Sequence, residues 1–131
     1  MTDPLVTVVI PCRNELAHIE QCLASVLATA HPINRLEVLV VDGMSDDGTR
    51  AVVEAITARH ANVRMLDNPE RITPTALNLG IAASTGDVIV RMDAHAYYPS
   101  DYVPRLVAAL ERSGADNVGG VLQTVPGGDG P

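Results

Sequence analysis

The sequence predicts an α/β domain, a mostly parallel sheet with helices on both faces. Two observations carry this. Short apolar runs alternate along the chain with stretches whose apolar residues recur at helical spacing, and that order implies parallel strands joined by crossover helices. The runs are also nearly continuous in Val, Ile and Leu, which is how strands buried on both faces read. The 131 residues suffice for one compact domain with a single core. There is no Phe and no Trp, and Tyr97, Tyr98 and Tyr102 are the only tyrosines. That core must therefore be built from Val, Ile, Leu and Ala.

Leu5–Ile10 is the first expected strand, ended by Pro11. Leu16, Ile19, Leu23, Val26 and Leu27 then keep helical spacing, with Asn14 placed as N-cap. Leu36–Val41 forms a second buried strand, followed by the polar loop Asp42-Gly43-Met44-Ser45-Asp46-Asp47-Gly48. A helix is expected from about Thr49 to His60, with Val52, Val53 and Ile56 inward and Asp47 as its cap. Val63–Leu66 is a short third strand. Thr73-Pro74 reads as an N-cap followed by proline at the first helical position, opening a helix that runs to about Ala83 and is closed by Ser84-Thr85-Gly86. Asp87–Met92 is the fourth strand. Ser100 is placed to cap a last helix with Val103, Leu106, Val107 and Leu110 inward. Asn117–Leu122 reads as a fifth strand and Val125–Pro131 as loop. A domain seldom ends in a turn-rich segment directly after a core strand. The expectation is therefore one domain over residues 1–131, truncated at its C-terminus.

The formal net charge of −7 argues against nucleic acid, whose phosphates need a basic face. It leaves room for an anionic small ligand, which needs only local positive charge or a metal. All nine basic residues are Arg. A P-loop lysine and a Schiff-base lysine are thereby excluded within these residues. Cys12 and Cys22 stand ten apart without a CxxC pair, so buried free thiols in a reducing compartment are expected, and neither a zinc site nor a disulfide. Met1-Thr2-Asp3-Pro4 lacks a basic n-region, and no apolar run approaches the roughly 18 residues of a membrane span. The expected location is cytoplasmic. Attachment to the inner face of the plasma membrane through further C-terminal sequence stays compatible with this.

Ligands of open α/β sheets bind beyond the C-terminal ends of the strands. That rule selects Pro11-Cys12-Arg13-Asn14-Glu15, Asp42 to Thr49, and Asp93-Ala94-His95. Residues i and i+2 of an extended chain point the same way, so Asp93 and His95 could reach one ion. A carboxylate with an imidazole suits Mn²⁺ or a similar divalent ion better than Ca²⁺. A turn-capping Asp93 beside a surface histidine is the ordinary alternative, and the position at a buried strand end favours the metal. Asp42 could accept hydrogen bonds from a base imide or a ribose hydroxyl, or serve as a turn residue. Arg13, Arg71 and Arg91 could face a diphosphate, because the guanidinium fork matches phosphate oxygens. For Arg91 a surface role weighs equally. Glu15 and Asn78, taken alone, rank no higher than cap or surface residues. No G-x-G-x-x-G is present, so the dinucleotide fingerprint is absent.

Taken together, these segments resemble the family 2 glycosyltransferases in order and spacing. The pieces are Val8-Val9-Ile10-Pro11-Cys12-Arg13-Asn14-Glu15, Val40 to Thr49, Asn78-Leu79-Gly80 with Thr85-Gly86-Asp87, and Asp93-Ala94-His95. The match covers about residues 5 to 122, and Val-Asp-Gly-Met-Ser-Asp-Asp-Gly-Thr and Arg-Met-Asp-Ala-His-Ala are nearest to the succinoglycan-type, exopolysaccharide-building branch. The resemblance implies the Rossmann-like, nucleotide-diphospho-sugar-binding half of an A-type glycosyltransferase fold. It also implies a UDP-linked donor, a divalent metal (Mn²⁺ or Mg²⁺), and inverting transfer to a polysaccharide or lipid-linked acceptor. Residue by residue, it places Pro11, Arg13 and Glu15 on the nucleotide and Asp42 on the base or ribose. Asn78 falls beside the nucleotide, and Asp93 and His95 fall on the metal-binding D-x-D. Two positions depart from the family pattern. Gly43 stands where many members carry a second acid, and His95 stands for the second D-x-D acid. Family members also carry a catalytic base well beyond the D-x-D, so the isolated chain is expected to bind donor and transfer sugar poorly. The competing classes are a nucleotidyltransferase, which the absence of Lys around a triphosphate disfavours, and a nucleotide-binding fragment without turnover.

Overall fold

The structure, a computed structural model, describes residues 3–113. Four strands, β1 (Val6–Cys12), β2 (Leu36–Asp42), β3 (Val63–Asp67) and β4 (Val88–Arg91), alternate with four helices. The helices are α1 (Ile19–Leu27), α2 (Thr49–Arg59), α3 (Thr73–Ala83) and α4 (Tyr102–Ser113). The strands form one parallel sheet in the order β3-β2-β1-β4. The expected strand Asn117–Leu122 and the loop after it lie outside the described residues.

Side-chain alternation along the central strands sorts the core into two layers. Val6, Val8 and Ile10 of β1, with Val38 and Val40 of β2, face a layer that includes Ile19, Leu23 and Val26 of α1, Val53 and Ile56 of α2, and Val103 and Val107 of α4. Val9 and Val41 point the other way, onto Ala76 of α3. Both faces of the sheet are thus covered, and the near-continuous apolar runs follow from that. Gly80 lets α3 lie directly against β1, because a Cβ there would overlap the Val9 side chain. No helix among the described residues is long and apolar enough to cross a membrane.

A polar seam fixes the start of β4. The Thr7 hydroxyl, fully buried, donates to Glu37 Oε1 at 2.7 Å and accepts from the Gly86 N–H at 2.9 Å. The N–H and hydroxyl of Thr85 also donate to Glu37 Oε1. Burial opposes ionisation of Glu37, but the Thr85 N–H, the Thr7 and Thr85 hydroxyls and Arg64 prevail and hold its carboxyl below the usual range.

Several element boundaries differ from the sequence expectation for identifiable reasons. Helix α1 begins at Ile19, because Asn14 is not its cap. Asn14 takes a left-handed backbone (φ 53°) and accepts from the Asp46 N–H at 2.9 Å, tying the first loop to the second. Asp47 does accept from the Thr49 N–H at the start of α2, with Gly48 in the N-cap position. Thr73 is the first residue of α3 and Ile72 its N-cap, one residue before the expected cap. Ser100 contributes its carbonyl, which accepts from the Ala30 N–H.

Candidate functional site

The register puts Cys12, Asp42 and Asp67 side by side at the C-terminal ends of β1, β2 and β3. The chain runs outward from β1 through β2 to β3 and then returns to β4 on the other side of β1. That reversal opens a crevice beyond the ends of β1 and β4, where ligands of such sheets bind. A cavity of about 310 Å³ occupies it. Its walls are Pro11 and Cys12 at the end of β1 with Arg13 and Glu15 after it, Gly43 after β2, Asn68, Arg71 and Ile72 before α3 with Thr73 and Ala76 in it, and Arg91, Asp93, Ala94 and His95 from β4 onward.

Six of the eight proposed site residues therefore meet in one cleft: Pro11, Arg13, Glu15, Arg71, Asp93 and His95. Arg91 joins them, so Arg13, Arg71 and Arg91 line the same cleft as Glu15 and Asp93. The other two lie elsewhere. Asn78 is exposed on α3, outside the cleft wall. Asp42 is fully buried, and its carboxylate accepts from the Ser45 N–H (2.8 Å), the Ser45 hydroxyl (2.6 Å) and Arg50 (2.8 Å). In this arrangement Asp42 holds its own loop.

Arg13 reaches across to that loop, where its guanidinium donates to the carbonyls of Gly43 and Met44. Space at Gly43 is tight: a Cβ there would sit 3.3 Å from both the Arg13 Cβ and the Arg71 Cα, so a neighbour would have to give by a few tenths of an ångström. Among the described residues, the non-glycine residues with left-handed backbone are Asn14, Met44 and Arg71, one after each of β1, β2 and β3. Such conformations cost on the order of 1–3 kcal/mol each, and they persist only where the surroundings fix them. Here they ring one end of the sheet.

Asp93 and His95 are both exposed to the cleft. The His95 Nδ1 lies 3.5 Å from Glu15 Oε2. The Asp93 backbone is held from behind, its N–H donating to the Tyr98 hydroxyl at 2.7 Å and its carbonyl accepting from the Cys22 thiol at 3.4 Å. Among the described residues no group of three His, Cys, Asp or Glu side chains could hold a metal. Two donors facing an open cleft do fit a divalent ion that completes its shell with phosphate oxygens and water. Burial, and next the Asp42 carboxylate, push the Cys12 thiol up to about 12, and burial with Asp93 does the same for Cys22. Both remain protonated and apolar in character.

Asn68 was not singled out from sequence, although Asn68-Pro69 is a turn signal. It is 2% exposed; its amide donates to the Ile72 carbonyl (2.9 Å) and accepts from the Thr75 hydroxyl (2.9 Å). Its carbonyl accepts from the Arg71 N–H. Asn68 thus builds the turn that presents Arg71 to the cleft.

Comparison with known proteins bears on this geometry. The model of the family "Glycosyl transferase family 2" matches residues 7–131. The succinoglycan biosynthesis protein ExoA of Rhizobium meliloti is 39% identical over 127 residues, covering 95% of this chain and 38% of that protein. An undecaprenyl-phosphate 4-deoxy-4-formamido-L-arabinose transferase of Klebsiella pneumoniae is 36% identical over 121 residues, covering 90% and 37%. Among solved structures, the mannosyltransferase PcManGT of Pyrobaculum calidifontis, in complex with GDP-Man and Mn²⁺, superposes with a TM-score of 0.78 at 34% identity, covering 83% of this chain and 33% of that one. The chain thus spans under two fifths of the length of each of these three proteins.

Proposed function

The chain belongs to glycosyl transferase family 2, and from that premise we propose that its cleft binds a nucleotide-diphosphate sugar together with a divalent metal, as the donor side of inverting transfer to a polysaccharide or lipid-linked acceptor. The observation that carries this reading is the meeting of three arginines with Asp93 and His95 in one crevice at the sheet's reversal point. Membership in this family also favours glycosyl over nucleotidyl transfer. The donor is UDP-linked on the sequence resemblance. The GDP-Man bound by the mannosyltransferase makes a guanosine donor the alternative to measure beside it.

In this reading Asp93 and His95 hold the ion, Mn²⁺ or Mg²⁺, which supplies Lewis-acid stabilisation of the charge on the departing diphosphate. Arg71 and Arg91 meet phosphate oxygens with forked donors. Arg13, anchored on the Gly43 and Met44 carbonyls, closes the nucleoside end. Pro11 and Glu15 shape the floor, and the Glu15 carboxylate orients His95. The group that takes the acceptor proton is assigned to no described residue: Glu15 faces His95, and Asp93 serves the ion. General-base help is worth roughly 10²–10⁴-fold in rate.

The test is calorimetric titration of UDP and of GDP, each with Mn²⁺ and with chelator, followed by incubation with the matching nucleotide sugars. Binding strengthened by Mn²⁺ is expected, with nucleoside diphosphate rather than pyrophosphate as any product released. Equal affinity with and without metal would sink the metal assignment. Failure of both nucleotides to bind would sink the donor site itself.

A further inference from the structure

Asp42 and Asp67 are register partners, so two carboxylates leave adjacent strands at the same height. Arg50, in the first turn of α2, clips both: one guanidinium nitrogen lies 2.8 Å from Asp42 Oδ2 and the other 2.7 Å from Asp67 Oδ1. Hydrogen bonds to Asp67 and then Asp42 raise the Arg50 pKa, so its charge is permanent. The Asp42 side chain is wholly buried, whereas that of Asp67 is 57% exposed. A buried carboxylate is tolerated only with a well-placed counter-charge and full hydrogen bonding. Arg50 supplies the charge. Ser45 supplies the rest, and its hydroxyl also accepts from the Asn14 N–H at 2.7 Å. Between Asp42 and Ser45 lie the two carbonyls that receive Arg13.

We propose that Arg50, a residue outside the cleft wall, is a positioning residue for the donor cleft: through Asp42 it fixes the turn over residues 42–45, and through the carbonyls of that turn it holds Arg13 in the cleft, while Asp42 itself does not touch the nucleoside. The proposal rests on the reading of the cleft as a nucleotide-sugar site. It explains why Asp42 sits under the rim instead of in the cleft wall. It also makes a charge pair remote from the ligand a determinant of affinity.

A double-mutant cycle decides it. Arg50→Gln, Asp42→Asn, their combination and Arg50→Lys are compared in the 131-residue chain by calorimetry with UDP and GDP in Mn²⁺. Amide hydrogen exchange of residues 43–45 is followed without nucleotide. Arg50→Gln should weaken nucleotide binding about tenfold, within the range of coupled pairs. It should also speed exchange in residues 43–45 while the amides of β1 and β4 keep their protection. Adding Asp42→Asn should recover part of the loss, since it removes the unpaired buried charge, and Arg50→Lys should fall between wild type and Arg50→Gln. If Arg50→Gln does not fold, Arg50→Lys against wild type carries both measurements. A double variant that binds far more weakly than Arg50→Gln would place Asp42 on the nucleoside and overturn the proposal. Unchanged exchange in residues 43–45 would overturn it as well. Failure of the wild type to bind either nucleotide would instead count against the donor-site reading, and the exchange comparison would still decide whether Arg50 holds the turn.

Discussion

The Nδ1 of His95 and the Oε2 of Glu15 stand 3.5 Å apart, joining the loop after β4 to the loop after β1 across the cleft. The contact brings a carboxylate to an imidazole that already sits two residues from Asp93. If Asp93 and His95 share the ion, Asp93→Ala should abolish the Mn²⁺ dependence of nucleotide binding. His95→Ala should weaken it less, because a carboxylate brings charge as well as a lone pair. Calorimetry with Mn²⁺ and with chelator reads both, and an Asp93→Ala variant that keeps full metal dependence would contradict the assignment.

Gly80 makes a different kind of demand. A Cβ added there would lie 2.4 Å from a methyl of Val9, a fully buried strand residue. Gly80→Ala should lower the melting temperature, with a cost of about 1–3 kcal/mol for overpacking a closed core. Val9→Ala should be less harmful in the Gly80→Ala background than in the wild type, since it makes the missing room. Additive effects of the two substitutions would mean that α3 shifts away at little cost.

Glu37 predicts a pH dependence. Its folded pKa lies below the ordinary value of 4.5. The ionised form therefore stabilises the fold above that value, and the contribution is lost as pH falls through the depressed folded pKa. Glu37→Gln should melt earlier than wild type at neutral pH, and the gap should close as the pH is lowered past about 4.5. A gap constant across that window would show that the carboxylate charge is not what the Thr7–Thr85 seam uses.

The thiols give a chemical prediction. With both pushed up to about 12, Cys12 and Cys22 hold almost no thiolate at mildly alkaline pH. Alkylation of the folded chain should be slower than that of the urea-unfolded chain by an order of magnitude or more, roughly. Peptide mass spectrometry separates the two sites. Rapid labelling of Cys12 in the folded chain would show that the end of β1 is open to reagents.

β1 and β2 were legible because burial on both faces writes itself as nearly uninterrupted Val, Ile and Leu runs, and the loops that follow them were legible through the rule on strand ends. Six of the eight proposed site residues line the cleft reached on that basis. The partnership of Asp42 with Arg50 and the tie made by Asn14 were not legible. Asp42, at the end of β2, pairs with Arg50 of α2, and Asn14 accepts from the Asp46 N–H of the next loop, and no local periodicity encodes a partnership between separate segments. The same reason hid Asn68, whose turn signal was visible but whose place in the wall depends on β3 lying beside β2. Asn78 was carried by motif position alone, and a position along a helix does not say which side of it faces a ligand.

The only residues of the whole chain that absorb strongly near 280 nm are Tyr97, Tyr98 and Tyr102, since it has no Trp. All of them follow β4 closely. Tyr98 and Tyr102 pack with ring centroids 5.0 Å apart and planes tilted by 47°, and the Tyr98 hydroxyl receives the Asp93 N–H. The aliphatic core is optically silent. Tyrosine emission and near-ultraviolet dichroism therefore come from the segment that follows β4 and backs Asp93, and the protein carries an intrinsic spectroscopic probe of the Asp93 loop without any label being added.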